Sequence, residues 1–172
     1  LEFSVALWST IWLTQVANAQ IAMAFCPVDM LMKTVLLVDD DPEDVLFMKR
    51  ACKAADIPHS LVVLTDGEAA VDYLSRCDAE SVSNPLPALL FLDIKLPLGS
   101  GHEVLQWLRA QSHLKDMPVV MLTESPLNSD VELAYESGAT SYLAKTSNIS
   151  ALCAGVKTIL SYWLQLNVPR VP

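Results

Sequence analysis

The sequence predicts an α/β domain in which helices cover both faces of a parallel sheet. Three observations predict it. Short runs of purely apolar residues recur along the chain, as strands buried on both faces require. Stretches with apolar residues at helical spacing lie between them. The joints carry helix-start residues and Gly or Pro punctuation at several points, as crossover connections do.

Each element follows in order. Thr34-Val35-Leu36-Leu37-Val38 is a continuous β-branched and aliphatic run, the first strand. Asp41-Pro42-Glu43 then opens a helix, with an acidic cap, Pro at the first helical position and acid in the first turn. That helix is expected from Pro42 to about Ala55, ending before Pro58. Ser60 to Leu64 is the second strand, and Asp66-Gly67 starts a helix to about Cys77 with Ala70, Val71 and Leu74 on one stripe. Asp78 to Pro87 is the longest loop. Ala88 to Leu92 is the third strand, and Gly101 to Gln111 a helix that turns Val104, Leu105 and Leu108 inward. Pro118 to Leu122 is the fourth strand, followed by a short helix from Leu127 to Ser137 that Gly138 ends. Ser141 to Ala144 is the fifth strand. The last helix places Ile149, Leu152, Val156, Ile159, Leu160 and Trp163 on one stripe. Five such βα units, joined by right-handed crossovers, give a flavodoxin-like (βα)5 domain with strand order 2-1-3-4-5.

Charge narrows the function classes. The 172 residues hold 11 Lys+Arg and 20 Asp+Glu, a net charge of −9. Such a surface excludes nucleic-acid wrapping, which needs a basic footprint. All 11 bases lie at or after Lys33, while Leu1 to Met32 carries only Glu2 and Asp29. The chain therefore divides into a leader at 1–32, a domain at 33–166 and a tail at 167–172. The uncharged run from Phe3 to Val28 is long enough to span a bilayer, but seven polar residues from Ser4 to Gln20 break its surface. Ala17-Asn18-Ala19 resembles an export cleavage site, yet no Lys or Arg precedes the apolar stretch. Two readings of the leader stand: sequence upstream of a natural start at Met30 or Met32, or an amphipathic extension packed on the domain or on a partner subunit. Cys26, Cys52, Cys77 and Cys153 show no metal or redox spacing and read as thiols of a reducing cytoplasm.

In a sheet of this order, chemistry belongs at the carboxyl ends of the strands. Strand 1 ends in Asp39-Asp40-Asp41, strand 3 in Asp93, strand 4 in Thr123 and strand 5 in Lys145. Singly, these are a solvated turn, a cap and a surface lysine. Together they share one rim. Carboxylates crowded on a rim repel one another unless a cation intervenes, and Mg²⁺ suits oxygen ligands of this kind. A cation, an ammonium and a hydroxyl around a carboxylate are what a transferring phosphoryl group needs, with Asp93 as nucleophile forming an acyl phosphate.

With these residues in view, Lys33 to Leu166 resembles the receiver domains of two-component response regulators. The matching stretches are Leu36 to Asp40, Leu92 to Pro97, Val120 to Thr123, Gly138-Ala139 and Tyr142 to Lys145. The resemblance implies that Asp93 accepts phosphate from a phosphohistidine on a sensor histidine kinase. It implies Mg²⁺ held by Asp40 directly, by Asp39 through water, by Asp93 and by the backbone carbonyl of Lys95. Thr123 and Tyr142 would be the switch pair, and Lys145 would meet the phosphoryl oxygen. The Asp-Asp-Asp-Pro-Glu-Asp helix start, the long loop before strand 3 and the end Tyr162-Trp163-Leu164…Val168-Pro169 are similar to the small regulators that partner phytochromes, which implies a light-sensing kinase.

Two positions depart from the family pattern. Thr146 stands where Pro usually follows the strand-5 Lys, so a trans bond and a different loop are expected. Glu124 stands where a small residue usually follows the switch Thr; it points into solvent or shades the phosphoryl site. Only Leu164 to Pro172 follow the last helix, which predicts a receiver without an attached output module, acting in the cytoplasm through a changed surface and not as a turnover enzyme. A homodimer through the helix 4–strand 5–helix 5 face or the C-terminal region is expected, with Leu164 and Leu166 as exposed apolar area and no nucleic-acid or membrane partner. A phosphorylation-independent scaffold is the alternative, though no acid and no lysine of the set is lost. A haloacid-type phosphatase would want Asp two residues after the nucleophile, where Lys95 stands.

Overall fold

Five parallel strands form one sheet in the order β2-β1-β3-β4-β5 in this computed structural model, which describes residues 32–77, 84–124 and 128–168, with backbone alone at 128–130. The expectations for the leader up to residue 31, for residues 78–83 of the long loop and for the tail from Pro169 lie outside the described residues. The elements alternate as β1 (Thr34–Val38), α1 (Pro42–Ala54), β2 (Ser60–Leu64), α2 (Gly67–Ser75), β3 (Leu89–Asp93), α3 (Gly101–Ala110), β4 (Val119–Thr123), α4 (Asn128–Glu136), β5 (Ser141–Ala144) and α5 (Ile149–Leu160). Strands 3 and 4 begin one residue later than their apolar runs suggest and take in the polar residues Asp93 and Thr123 at their ends.

The period of two along each central strand sorts its side chains between two cores. Val35, Leu37, Leu89, Phe91, Val120 and Leu122 face α1 and α5, meeting Met48, Cys52, Leu152, Val156 and Leu160. Leu36, Val38, Leu90, Leu92, Val119 and Met121 face the opposite way, onto Ala70, Leu74, Val104, Leu105, Leu108 and Ala134. Strands β3 and β4 are buried throughout, whereas the edge strands β2 and β5 are buried only in part.

Side-chain caps hold the helix starts. Asp41 accepts from the amides of Glu43 and Asp44, Asp66 from Ala69, and Asn148 from Ala151. Ser100 and Glu103 form a reciprocal capping box at α3. Helix α4 closes on Gly138 at φ 92°, with the Ala139 amide bonded back to the Ala134 carbonyl, a left-handed stop that glycine takes without strain. Arg109, near the end of α3, donates to the carbonyls of Lys115, Met117 and Gly138 at 2.8–2.9 Å. It thereby fastens the segments that lead into β4 and β5 at the end of the sheet away from Asp93.

Beyond α5 the chain continues as a π-helical turn, Ser161–Leu166. This corrects the expectation for Leu164, which is 6 % exposed and belongs to the first core, while Leu166 is 72 % exposed. In an α-helix each step of four residues overshoots a full turn by about 40°. The stripe Leu152, Val156, Leu160, Leu164 would therefore drift off the sheet. The wider π turn cancels the drift and returns Leu164 to the core. The Leu164 carbonyl accepts from Lys33 Nζ at 2.7 Å, a cation at a helix C-terminus. The segment Ile149–Leu166 has the length and hydropathy of a membrane span. Its stripe of Leu152, Val156, Leu160 and Leu164 lies in the protein core.

Candidate functional site

The strand register brings the rim residues together. Pairing of Val38 with Leu92 and of Asp93 with Leu122 sets the ends of β1, β3 and β4 side by side. Thr123 pairs with Ala144, and the Lys145 amide donates to the Thr123 carbonyl at 2.6 Å, so Lys145 leaves β5 over this rim. Asp39 is fully buried, Asp93 is 6 % and Thr123 5 % exposed, and Asp40 faces solvent. Carboxylate oxygens of Asp39, Asp40 and Asp93 lie within 4.8 Å of one another.

Helix α3 approaches the site closely. The Gly101 amide donates to the Ile94 carbonyl at 3.0 Å, and a Cβ at 101 would overlap the Asp93 carbonyl oxygen. Glycine is required there by proximity, since its backbone needs no left-handed conformation. At the opposite side, the Asp39 carboxylate accepts from the Asp41 amide at 3.1 Å through Oδ1.

Lys145 binds the acids into one cluster. Its ammonium stands 2.8 Å from Asp44 Oδ2, 2.9 Å from Asp39 Oδ2 and 3.1 Å from Asp93 Oδ1. Burial disfavours its charge, but the carboxylates of Asp44, Asp39 and Asp93 outweigh that and raise its pKa. Burial pushes the Asp39 carboxyl up to about 6 in spite of Lys145. It raises Asp93 as well, with Asp40 adding repulsion and Lys145 opposing. The Asp39 Oδ2 atom is buried and accepts no well-aligned hydrogen bond. One ammonium thus leaves three converging carboxylates under-neutralised. The donor set, all oxygen and anionic, fits a small hard divalent cation.

A cavity of about 190 Å³ opens over Asp93, lined also by Asp40, Asp41, Asp44, Thr123 and Lys145. Lys95 and Glu124 line its mouth and form an ion pair at 3.3 Å, both side chains largely exposed. Glu124 therefore stands beside the site, held by Lys95. Tyr142 lies on β5 outside the cavity lining, half-buried against the second core. After Lys145 the chain contains no cis bond among the described residues, and the Thr146 hydroxyl accepts from the Asn148 amide at 3.1 Å, closing the loop into α5.

Asp44 was not anticipated from the sequence. It sits in the first turn of α1, where side chains lean back toward the helix start and hence toward the rim. The signal for it was an acid three residues after the cap, which reads equally as a favourable dipole charge.

Residues 35–157 match the family model described as "Response regulator receiver domain". The chain is 38 % identical over 133 residues to the response regulator Rcp1 of Synechocystis, covering 77 % of this chain and 90 % of that protein. The crystal structure of the phosphorylated cyanobacterial phytochrome response regulator RcpA superposes with a TM-score of 0.71 at 32 % identity, covering 80 % of this chain and 97 % of that one. The Mn²⁺-bound form of Rcp1 gives 0.70 at 36 % identity, covering 81 % and 99 %.

Proposed function

Because the chain belongs to the response regulator receiver domain family, we propose that it takes a phosphoryl group from a sensor histidine kinase onto Asp93 and signals through a changed surface. The observation that carries this assignment of residues is the Lys145 ammonium within 3.1 Å of buried Asp39 and Asp93, at the floor of an open acidic cavity.

In this reading an Asp93 carboxylate oxygen attacks phosphorus. The P–N bond to the kinase imidazole breaks, the bond electrons stay on the imidazole nitrogen, and an acyl phosphate forms. Asp39, Asp40 and Asp93, with the Lys95 carbonyl, hold Mg²⁺, which when bound neutralises charge on the phosphoryl oxygens. Lys145 neutralises a further oxygen, and the Thr123 hydroxyl donates to another. Thr123 moving toward the phosphoryl group vacates space that Tyr142 follows inward. The receiver unit spans Lys33 to Leu166, and the phosphoryl group is stored on the chain itself, not turned over on a separate substrate. The surface that changes is that of α4, β5 and α5, where Leu133 and Tyr135 are exposed and would meet in a homodimer. Similarity to the phytochrome response regulator RcpA supports a light-sensing kinase as cytoplasmic partner.

The test uses the full chain with Mg²⁺ and acetyl phosphate, read by intact mass. A gain of one phosphoryl group, lost when EDTA replaces Mg²⁺, is expected. Transfer from a purified phytochrome kinase should outpace transfer from an unrelated histidine kinase. Uptake from none of these donors would leave the scaffold reading in its place.

The ion pair at the cavity mouth yields a second expectation. Glu124→Ala should leave the melting temperature within error of wild type, since exposed pairs contribute about 0–1 kcal/mol. It should alter the rate at which the phosphoryl group is lost, because Glu124 and the Lys95 it pairs with line the cavity that opens over Asp93. An unchanged lifetime would reduce Glu124 to an ordinary surface acid.

A further inference from the structure

A lysine ammonium has three N–H donors and nothing to accept with. In Lys145 they face three carboxylates, which are not equivalent. The well-aligned side-chain hydrogen bond runs to Asp44 at 2.8 Å. Asp39 Oδ2, at 2.9 Å, accepts none of good geometry, and Asp93 Oδ1 lies farther away at 3.1 Å. Asp93 ends β3 and Asp39 directly follows β1, whereas Asp44 belongs to the first turn of α1.

The geometry points to Asp44 as a positioning residue that parks Lys145 in the resting state and ties the start of α1 to the phosphoryl state of Asp93. This inference rests on the phosphoacceptor reading above. An acyl phosphate on Asp93 replaces the carboxylate that faced Lys145 and sets its anionic oxygens farther out, so the ammonium must shift toward them and away from its other two carboxylates. One existing carboxylate must yield. Asp39 Oδ2 is fully buried, so giving up the ammonium there carries a desolvation cost that the Mg²⁺ of the reading above would offset only in part. The Asp44 side chain is 25 % exposed, and water can replace the ammonium there. Asp44 is therefore the contact that breaks. Its own amide is held by Asp41 together with that of Glu43, so the release falls on an ordered turn and not on a loose loop.

The experiment measures the rate of phosphoryl uptake from acetyl phosphate with saturating Mg²⁺ in wild type, Asp44→Asn, Asp44→Glu, Lys145→Met and the double variant Asp44→Asn/Lys145→Met. Asp44→Asn should accelerate uptake roughly tenfold, the usual weight of one hydrogen bond to a charged group. Asp44→Glu should return the rate toward wild type. In the Lys145→Met background the acceleration should fall within about twofold, because Asp44 acts through Lys145. Equal acceleration in both backgrounds would mean that Asp44 acts only as bulk negative charge and would overturn the proposal. So would unchanged or slower uptake in Asp44→Asn. Where Lys145→Met takes up no measurable phosphoryl, amide shifts at Glu43, Asp44 and Val45 decide: phosphorylation should move them in wild type and by less than half as much in Asp44→Asn. Equal movement in the two proteins overturns the proposal as well. Wild type that takes up no phosphoryl at all removes the phosphoacceptor premise, an outcome distinct from any result of the Asp44 series.

Discussion

On the proposed assignment of Asp93 as acceptor, Asp93→Asn is expected to abolish phosphoryl uptake from acetyl phosphate and to leave the protein folded. The amide has nearly the shape of the carboxylate but no anionic oxygen to attack phosphorus. Loss of a covalent nucleophile costs on the order of 10⁶-fold in a well-studied hydrolase, which here puts uptake below detection. Stability moves the other way. Asp93 is a buried acid whose pKa burial has already raised, and it shares one ammonium with Asp39 and Asp44. Removing its charge relieves repulsion with Asp40 and leaves Lys145 with two partners. The metal-free variant should therefore melt at or above the wild-type temperature. Intact mass and a thermal scan on the same samples check both halves. A Mg²⁺-dependent phosphoryl adduct on the variant would place the acceptor elsewhere.

Gly101→Ala is expected to destabilise the fold by about 3 kcal/mol, the upper end of the usual cost of overpacking. The added Cβ would overlap the Asp93 carbonyl oxygen and stand 3.0 Å from its carbonyl carbon and 3.1 Å from Ile94 Cα. All three are backbone atoms, so no side-chain rotation relieves the contact. Helix α3 must move off the end of β3, or Asp93 must move with its own carbonyl. Phosphoryl uptake should fall along with stability. Gly155→Ala is the control of opposite sign. Its Cβ would meet only the end of the Leu143 side chain, at 3.2 Å, in the middle of α5. Alanine gains up to about 1 kcal/mol over glycine inside a helix. Urea unfolding of the two variants should thus move the midpoint in opposite directions. A Gly101→Ala midpoint equal to wild type would contradict the close approach of α3 to β3.

The sheet was legible because wholly apolar runs leave few alternatives to strands buried on both faces, and intervening helices force them parallel. Asp39, Asp40, Asp93, Thr123 and Lys145 were legible because each ends such a run, and the order of strands then sets four ends on one rim. Asp44 was not, because its role depends on where a side chain leaves a helix turn, and the same acid serves the helix dipole equally well. The Lys95–Glu124 pair joins two loops with no fixed spacing in the chain. Leu164 was misplaced because a 3.6-residue pattern carries no trace of a turn that widens. Tyr142 was assigned its strand correctly, but its distance from the cavity depends on which way the edge strand turns its alternate side chains.

Arg109 sets a mechanical boundary condition on the sheet. Its three carbonyl partners pin the segments entering β4 and β5 at one end of the sheet, and Thr123 and Lys145 stand at the other. A strand bolted at its amino end cannot slide along its neighbour without breaking its ladder of backbone hydrogen bonds. It can tilt, with the guanidinium as fulcrum and the carboxyl end as the free end of the lever. A small displacement of Thr123 or Lys145 is then expected to be greatest at the rim and to fall off toward the pinned end. One side chain thus holds the end of the sheet opposite to Thr123 and Lys145, and backbone amide exchange is expected to be slower at the Arg109 end than at the rim.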